Sequence, residues 1–178
     1  MLPRLIPSLT LIDNQIYRTK NFKNPSYVGD PINAVKIFNE KKVDELIIFD
    51  IGKNKKIISE DFVAEMLDIT SQAFMPLSYG GGIRTIDDAD KVFKAGFDKV
   101  IIGNSTLKNL SLIEDISNKY GKQSLVFALD IITSKFFGTY IHGLSPFIKK
   151  NRYYAMLALE LEKKGVGELI IRDVSLMD

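Results

Sequence analysis

Lys41-Lys-Val-Asp-Glu-Leu-Ile-Ile-Phe-Asp50 returns as Lys164-Gly-Val-Gly-Glu-Leu-Ile-Ile-Arg-Asp173, with seven of ten positions identical and 123 residues between them. Ser8-Leu9-Thr10 corresponds in the same way to Ala128-Leu129-Asp130, 120 residues on. A period near 120 that holds four strand–helix units is half of a (β/α)₈ barrel. One and a half periods are present, which means six strands. A complete second period would bring the total to roughly 240 residues, the usual size of such a barrel.

Outward from the repeat, short apolar runs alternate with amphipathic segments along the whole chain. Strands are expected at 5–11, 45–51, 75–79, 99–102, 124–130 and 168–174, rich in Ile, Val, Leu and Phe. Few charges lie inside them, as suits parallel strands buried on both faces. Helical stripes are carried by Ala34, Val35 and Phe38, then by Phe62, Val63, Met66 and Leu67. Ile86, Ala89, Val92 and Phe93 make a third, Leu110, Ile113 and Ile116 a fourth, and Leu157, Ala158 and Leu161 a fifth. Gly96, Gly121 and Gly165 fall where helices should stop. Residues 12–17, with Asp13-Asn14 at the turn, read as a small hairpin. The fold class is α/β, a (β/α)₈ barrel of two half-barrel repeats with about six of its units present. Residues 1–178 are expected to be one incomplete barrel domain, split into a first half at 1–120 and a partial second half at 121–178. A doubly wound sheet is the alternative that the same alternation permits, and an open six-strand arc would leave two edges unpaired.

Composition narrows the chemistry. A net charge of +2 from 24 basic and 22 acidic residues makes no case for nucleic acid. The chain has no cysteine and one histidine, His142, so disulfides, thiolate sites and His-based metal clusters are not expected from it. No apolar run is long enough to span a membrane, and Met1-Leu-Pro-Arg4 lacks the layout of a signal peptide. A cytoplasmic protein without a cofactor or metal is the expectation.

Barrel sites sit at the carboxyl ends of strands. Those ends carry Thr10, Asp50, Gly80-Gly81-Gly82, Gly103-Asn104-Ser105, Asp130 and Asp173. Gly81 and Gly82 lead into a helix and would let backbone N–H groups approach a phosphate there, with Asn104 and Ser105 donating from the next loop. Asp130 is a candidate general acid/base, against a plain strand-end aspartate. Asp50 either orients neighbours or touches substrate, and Arg18 is a further substrate-site candidate. His142, near Gly143 and Pro146, reads as a surface residue. At the opposite ends, Arg4, Glu45, Lys99 and Glu168 open strands one, two, four and six. Pointing inward, they would form an ion-pair ring, tolerated only if its charges are satisfied.

These motifs resemble a known family. Pro7-Ser-Leu-Thr10, Asn21-Phe22, Gly29-Asp30-Pro31, Asp44-Glu-Leu46, Gly80-Gly-Gly82, Asp98-Lys-Val100, Asn104, Leu129-Asp130 and Gly167-Glu168 are similar to the cyclase subunit of imidazole glycerol phosphate synthase, HisF. The resemblance runs across the chain. It implies a glutaminase partner of the HisH type in a heterodimer, and ammonia crossing the barrel to a phosphorylated substrate. It further implies an ammonia gate at Arg4, Glu45, Lys99 and Glu168, and a partner contact at Asp98. One phosphate site falls at Gly82, Asn104 and Ser105, and one catalytic aspartate at Asp130. The family's other catalytic aspartate is replaced by Thr10, whose hydroxyl cannot serve as a carboxylate base near neutral pH. That pattern resembles HisF paralogues associated with surface-polysaccharide genes, as does the segment from Asn21 to Val35. The expected function is ammonia transfer for amidation of a nucleotide-linked or surface sugar. Two other readings stand beside it: a working histidine-pathway cyclase, and an inactive barrel fragment or docking scaffold.

Overall fold

The computed structural model describes residues 3–20, 23–52, 58–108, 110–135, 138–143 and 151–175. Its packing divides the chain into two compact units, Met1–Val100 and Ile101–Asp178.

In the first unit the strands are β1 (Ser8–Ile12), β2 (Gln15–Lys20), β3 (Lys23–Gly29), β4 (Leu46–Asp50) and β5 (Leu77–Gly80), in the order β3-β2-β1-β4-β5. β1 runs parallel to β4 and β4 parallel to β5, while β2 and β3 are added antiparallel. The expected hairpin is present. Asp13 and Asn14 both take left-handed φ, 48° and 60°, which short polar side chains tolerate at a tight turn. β3 is a strand that the sequence did not announce. Its Lys-Asn-Pro-Ser composition lacks an apolar run, and Pro25 is acceptable because β3 lies at the edge.

The helices of this unit are α1 (Pro31–Lys41), α2 (Glu60–Thr70) and α3 (Ile86–Lys94). Each starts at a side chain that accepts a backbone N–H: Asp30, Ser59 and Thr85. Their Val35, Phe62, Met66, Ala89 and Val92 are buried, as are Leu46, Ile48, Leu77 and Tyr79 of the strands. The rings of Phe62 and Phe97 both lie 5.1 Å from Tyr79. Leu67, expected in the α2 stripe, is instead 44% exposed, and Ile69 is buried. The apolar face is centred on Phe62, Met66 and Ile69, one residue round from the expected stripe.

β6 (Lys99–Gly103) carries the chain into the second unit, which adds α4 (Ser111–Tyr120), β7 (Leu125–Ser134), β8 (Gly138–Ile141), α5 (Asn151–Lys163) and β9 (Glu168–Asp173). β7 pairs in parallel with β9 and antiparallel with β8. Leu125 through Leu129 are all buried, as a strand covered on both faces requires. β9 departs from that expectation, with Ile171 62% exposed. Gly96, Gly121 and Gly165 all have positive φ just beyond α3, α4 and α5, as expected of helix stops.

The two units repeat one register. Thr10 stands opposite Phe49 in β1/β4, and Asp130 stands opposite Arg172 in β7/β9. Adding 120 and 123 to the first pair of numbers gives the second pair, so the sequence repeat is also a pairing repeat. The fold class is α/β with parallel strand–helix units of the (β/α)₈ kind, and β1, β4, β5, β6, β7 and β9 are the six expected strands.

Beyond β5 the chain turns through Gly81 at φ 141°, where a Cβ would lie 2.2 Å from the Asp50 carbonyl oxygen. Gly81→Ala should therefore cost about 3 kcal/mol of unfolding free energy. Gly29→Ala, with nothing within 4 Å of its Cβ position, should change it little. Urea unfolding of both variants measures the difference, and equal midpoints would contradict this account of the turn.

Candidate functional site

The amino-terminal strand ends of the first unit converge on one buried carboxylate. Glu45, two residues behind the Val43 that anchors the end of α1, is 3% exposed. Its Oε2 lies 2.7 Å from Lys99 Nζ and 3.6 Å from an Arg4 guanidinium nitrogen. Its Oε1 accepts a hydrogen bond from the Ser78 hydroxyl. Three of the four expected ring residues are thus brought together, with Ser78 as a member that sequence reading missed. A serine inside the strand run Leu-Ser-Tyr was the available signal. Glu168, the fourth, opens β9 in the second unit opposite Val126. There it lines a cleft of about 550 Å³ with Lys122, Leu161 and Val166.

Asp98 is exposed, yet its carboxylate has a structural partner. Oδ2 accepts from Leu77 N at 2.8 Å, while Asp98 N donates to Leu77 O. Asp44 does the same for Leu5, at 2.6 Å. Asp98 also borders a cleft of about 350 Å³ with Thr70, Phe74 and Gly96, beside a Phe74 that is 90% exposed.

Of the expected strand-end residues of this unit, Asp50 ends β4 and Gly81 follows β5, whereas Thr10 is the third of five residues of β1, which runs on to Ile12. Asp50 is 8% exposed and orients its surroundings: Oδ2 accepts from the Tyr79 hydroxyl at 3.1 Å and Oδ1 from Gly52 N at 3.0 Å. Burial above all, then the Asp50 charge and hydrogen bond, pushes the Tyr79 phenol far above its ordinary range. Gly82 is exposed at φ 71°. The helix end behind it differs from expectation. Asp88 Oδ2 accepts from Arg84 N, Thr85 N and the Thr85 hydroxyl, so a carboxylate of the chain itself occupies the start of α3. An anion at this loop would be left the N–H groups of the glycines, without that helix terminus. Arg18 projects from β2, exposed, opposite Ser26.

In the second unit Asn104 grips the backbone of Asp130. Its Oδ1 accepts from Asp130 N at 3.1 Å, and its Nδ2 donates to Asp130 O and His142 O, both at 2.9 Å. Both amide hydrogens are thereby committed. Ser105 is exposed beside it. His142 is exposed, and its N–H also donates to Asp130 O, at 2.8 Å. The Asp130 carboxylate is taken by Arg172, Nε to Oδ1 at 2.6 Å and Nη2 to Oδ2 at 2.9 Å. Arg172 was not singled out from the sequence, although a charge inside a strand run demands a partner. Next to it, hydroxyls of Ser175 and then Thr133 donate to Asp173 and hold its carboxyl below its ordinary 3.8. Pro146 and the pair Asn21-Phe22 lie outside the described residues.

Comparison with known proteins gives this geometry a context. The family described as histidine biosynthesis protein matches residues 4–176. A Pseudomonas aeruginosa protein provisionally named imidazole glycerol phosphate synthase subunit hisF2 is 40% identical over 171 residues, covering 96% of this chain and 68% of that protein. A Leptospira borgpetersenii protein provisionally named subunit HisF of the same synthase is 35% identical, over 97% and 68%. Imidazole glycerol phosphate synthase subunit HisF of Campylobacter concisus is 33% identical, over 94% and 66%. The chain spans about two thirds of the length of these relatives. No helix among the described residues is long and apolar enough to cross a membrane.

Two outcomes follow from the charged groups. Glu45→Ala leaves Lys99 in a site where it is only 13% exposed and should destabilise by about 3 kcal/mol, with part of the loss recovered in Glu45→Ala/Lys99→Met. A chemical-denaturation cycle reads this, and a neutral single variant would contradict it. Asp173, with its folded proton affinity lowered, adds stability that is complete above pH 3.8 and fades as pH falls through its folded value. The stability gap between the wild type and Asp173→Asn should therefore be constant near neutrality and shrink in acid. A gap that widened below pH 3.8 would have the wrong sign.

Proposed function

The chain belongs to the histidine biosynthesis protein family and is a HisF-type subunit, and from that premise we propose that it takes ammonia from a glutaminase partner and passes it to a phosphorylated or nucleotide-linked acceptor. The buried Glu45, holding Lys99, Arg4 and Ser78 at the strand starts, carries this reading. Such a cluster is an expensive way to fill a strand end, because apolar residues of equal volume would serve stability as well or better. A small polar molecule crossing there supplies a reason to retain it. In this proposal Arg4, Glu45, Lys99 and Glu168 form the gate, and Asp98 with the exposed Phe74 belongs to the face that meets the glutaminase. The half-barrel division at 1–120 and 121–178 belongs to the same proposal.

For the acceptor, Gly81, Gly82, Asn104 and Ser105 are the proposed phosphate contacts through their backbone N–H groups, with Asp50 and Arg18 at the substrate. Thr10 supports amidation over ring closure, since a hydroxyl stands in β1 where the resemblance implies a carboxylate. The histidine-pathway cyclase is the second reading, favoured by Asp130 at the β7 position, with Asp130 and Thr10 then the reacting pair.

The test couples the protein to a glutaminase of the HisH type. Binding should be seen in a pull-down, and Lys99→Met should lower the ratio of glutamine-driven to ammonium-driven product by about tenfold. No association, or an unchanged ratio, overturns the ammonia-transfer reading. Turnover of the ribulosyl phosphate substrate with ammonium, Thr10 in place, would establish the cyclase instead.

A further inference from the structure

We propose that Phe74 is the apolar anchor by which the chain holds its glutaminase partner, and that Asn39 is the positioning residue that presents it. The inference rests on the ammonia-transfer reading and adds to it the contact that selects the partner. Phe74 is 90% exposed, more than any other large apolar side chain among the described residues. A ring left in water contributes no burial to folding. Buried in a pocket of a partner, one aromatic side chain can carry much of the binding energy.

The backbone under the ring is fixed. Asn39, near the end of α1, donates from Nδ2 to the Gln72 carbonyl at 2.7 Å, and its Oδ1 accepts from Phe74 N at 2.9 Å. Ala73 N donates to Thr70 O and Leu46 N to Pro76 O, both at 3.0 Å. The segment 72–76 is thereby tied to α1, α2 and β4. Little backbone freedom remains to be lost when the ring is captured, which favours a strong anchor. The same bonds place it. Pro76 is bonded to Leu46, the residue after Glu45, so Phe74 stands at the end of the sheet that holds Glu45, Lys99 and Arg4. The cleft of about 350 Å³ beside the ring has Asp98 as the charged residue among its described lining. The partner face that fits carries an apolar pocket for the ring and a lysine or arginine next to it. A second copy of this chain fits badly, because a two-fold contact centred on Phe74 would bring two Asp98 carboxylates together.

Titrating the full chain onto an immobilised glutaminase of the HisH type tests this through the dissociation constant. Phe74→Ala should weaken association about 30-fold, the scale of a single anchor residue, with an unchanged urea midpoint because the ring is exposed. Asn39→Ala should weaken it about fivefold. Added to Phe74→Ala it should cost nothing more, since an absent ring needs no presentation. An unchanged constant for Phe74→Ala overturns the anchor and leaves the transfer reading standing, whereas no binding by the wild type overturns both. A further fivefold loss in the double variant overturns the role of Asn39. Should Asn39→Ala fail to fold, the Phe74 amide of the wild type decides. It should exchange with solvent at least about tenfold slower than in an unstructured peptide of the same sequence, and equal rates overturn the presentation.

Discussion

A parallel strand covered on both faces can meet water only at its ends, and every charge along it must find a partner from the protein. β4, β5 and β7 are such strands, and their polar residues obey that constraint in detail. Glu45 meets Lys99, Arg4 and Ser78; Asp50 meets Tyr79 and Gly52; Asp130 meets Arg172. No buried side-chain nitrogen or oxygen among the described residues lacks a partner. Loss of a partner at any of these places leaves a desolvated charge, which is costlier than never having had the pair.

The constraint also separates structural from chemical roles at the strand ends. Asp44 and Asp98 both stand just before strands and clasp a neighbouring backbone, at Leu5 ahead of β1 and at Leu77 in β5. Asn104, read from its type and place as an anion donor, has its side-chain hydrogens committed to two carbonyls. Asp88 closes the start of α3 with its own charge. In each case the side chain satisfies the backbone first.

The repeat gives these comparisons an internal control. Thr10 opposite Phe49 and Asp130 opposite Arg172 occupy one register position in two copies of the same unit. The backbone geometry is shared, so the difference in chemistry is free of any difference in fold. One copy ends in a hydroxyl beside a ring, the other in an ion pair.

The sequence by itself determined the α/β class, the six main strands, the turn at Asp13-Asn14 and the helix stops at Gly96, Gly121 and Gly165. These rest on local periodicity and backbone preference, which act over a few residues and are written in neighbours along the chain. The repeat pair 41–50 and 164–173 was legible for the same reason, and Arg4, Glu45, Lys99 and Glu168 were grouped by being read at strand starts, of which the first three meet in the first unit. Only the tertiary structure decided what the side chains do. β3 forms from a polar segment because β2 offers it an edge. Ser78 joins Glu45 from 33 residues away, Arg172 reaches Asp130 across 42, and Asn104 ties Asp130 to His142. Such partnerships depend on which strands lie side by side and in what register, and pairing between distant segments leaves no mark in local pattern.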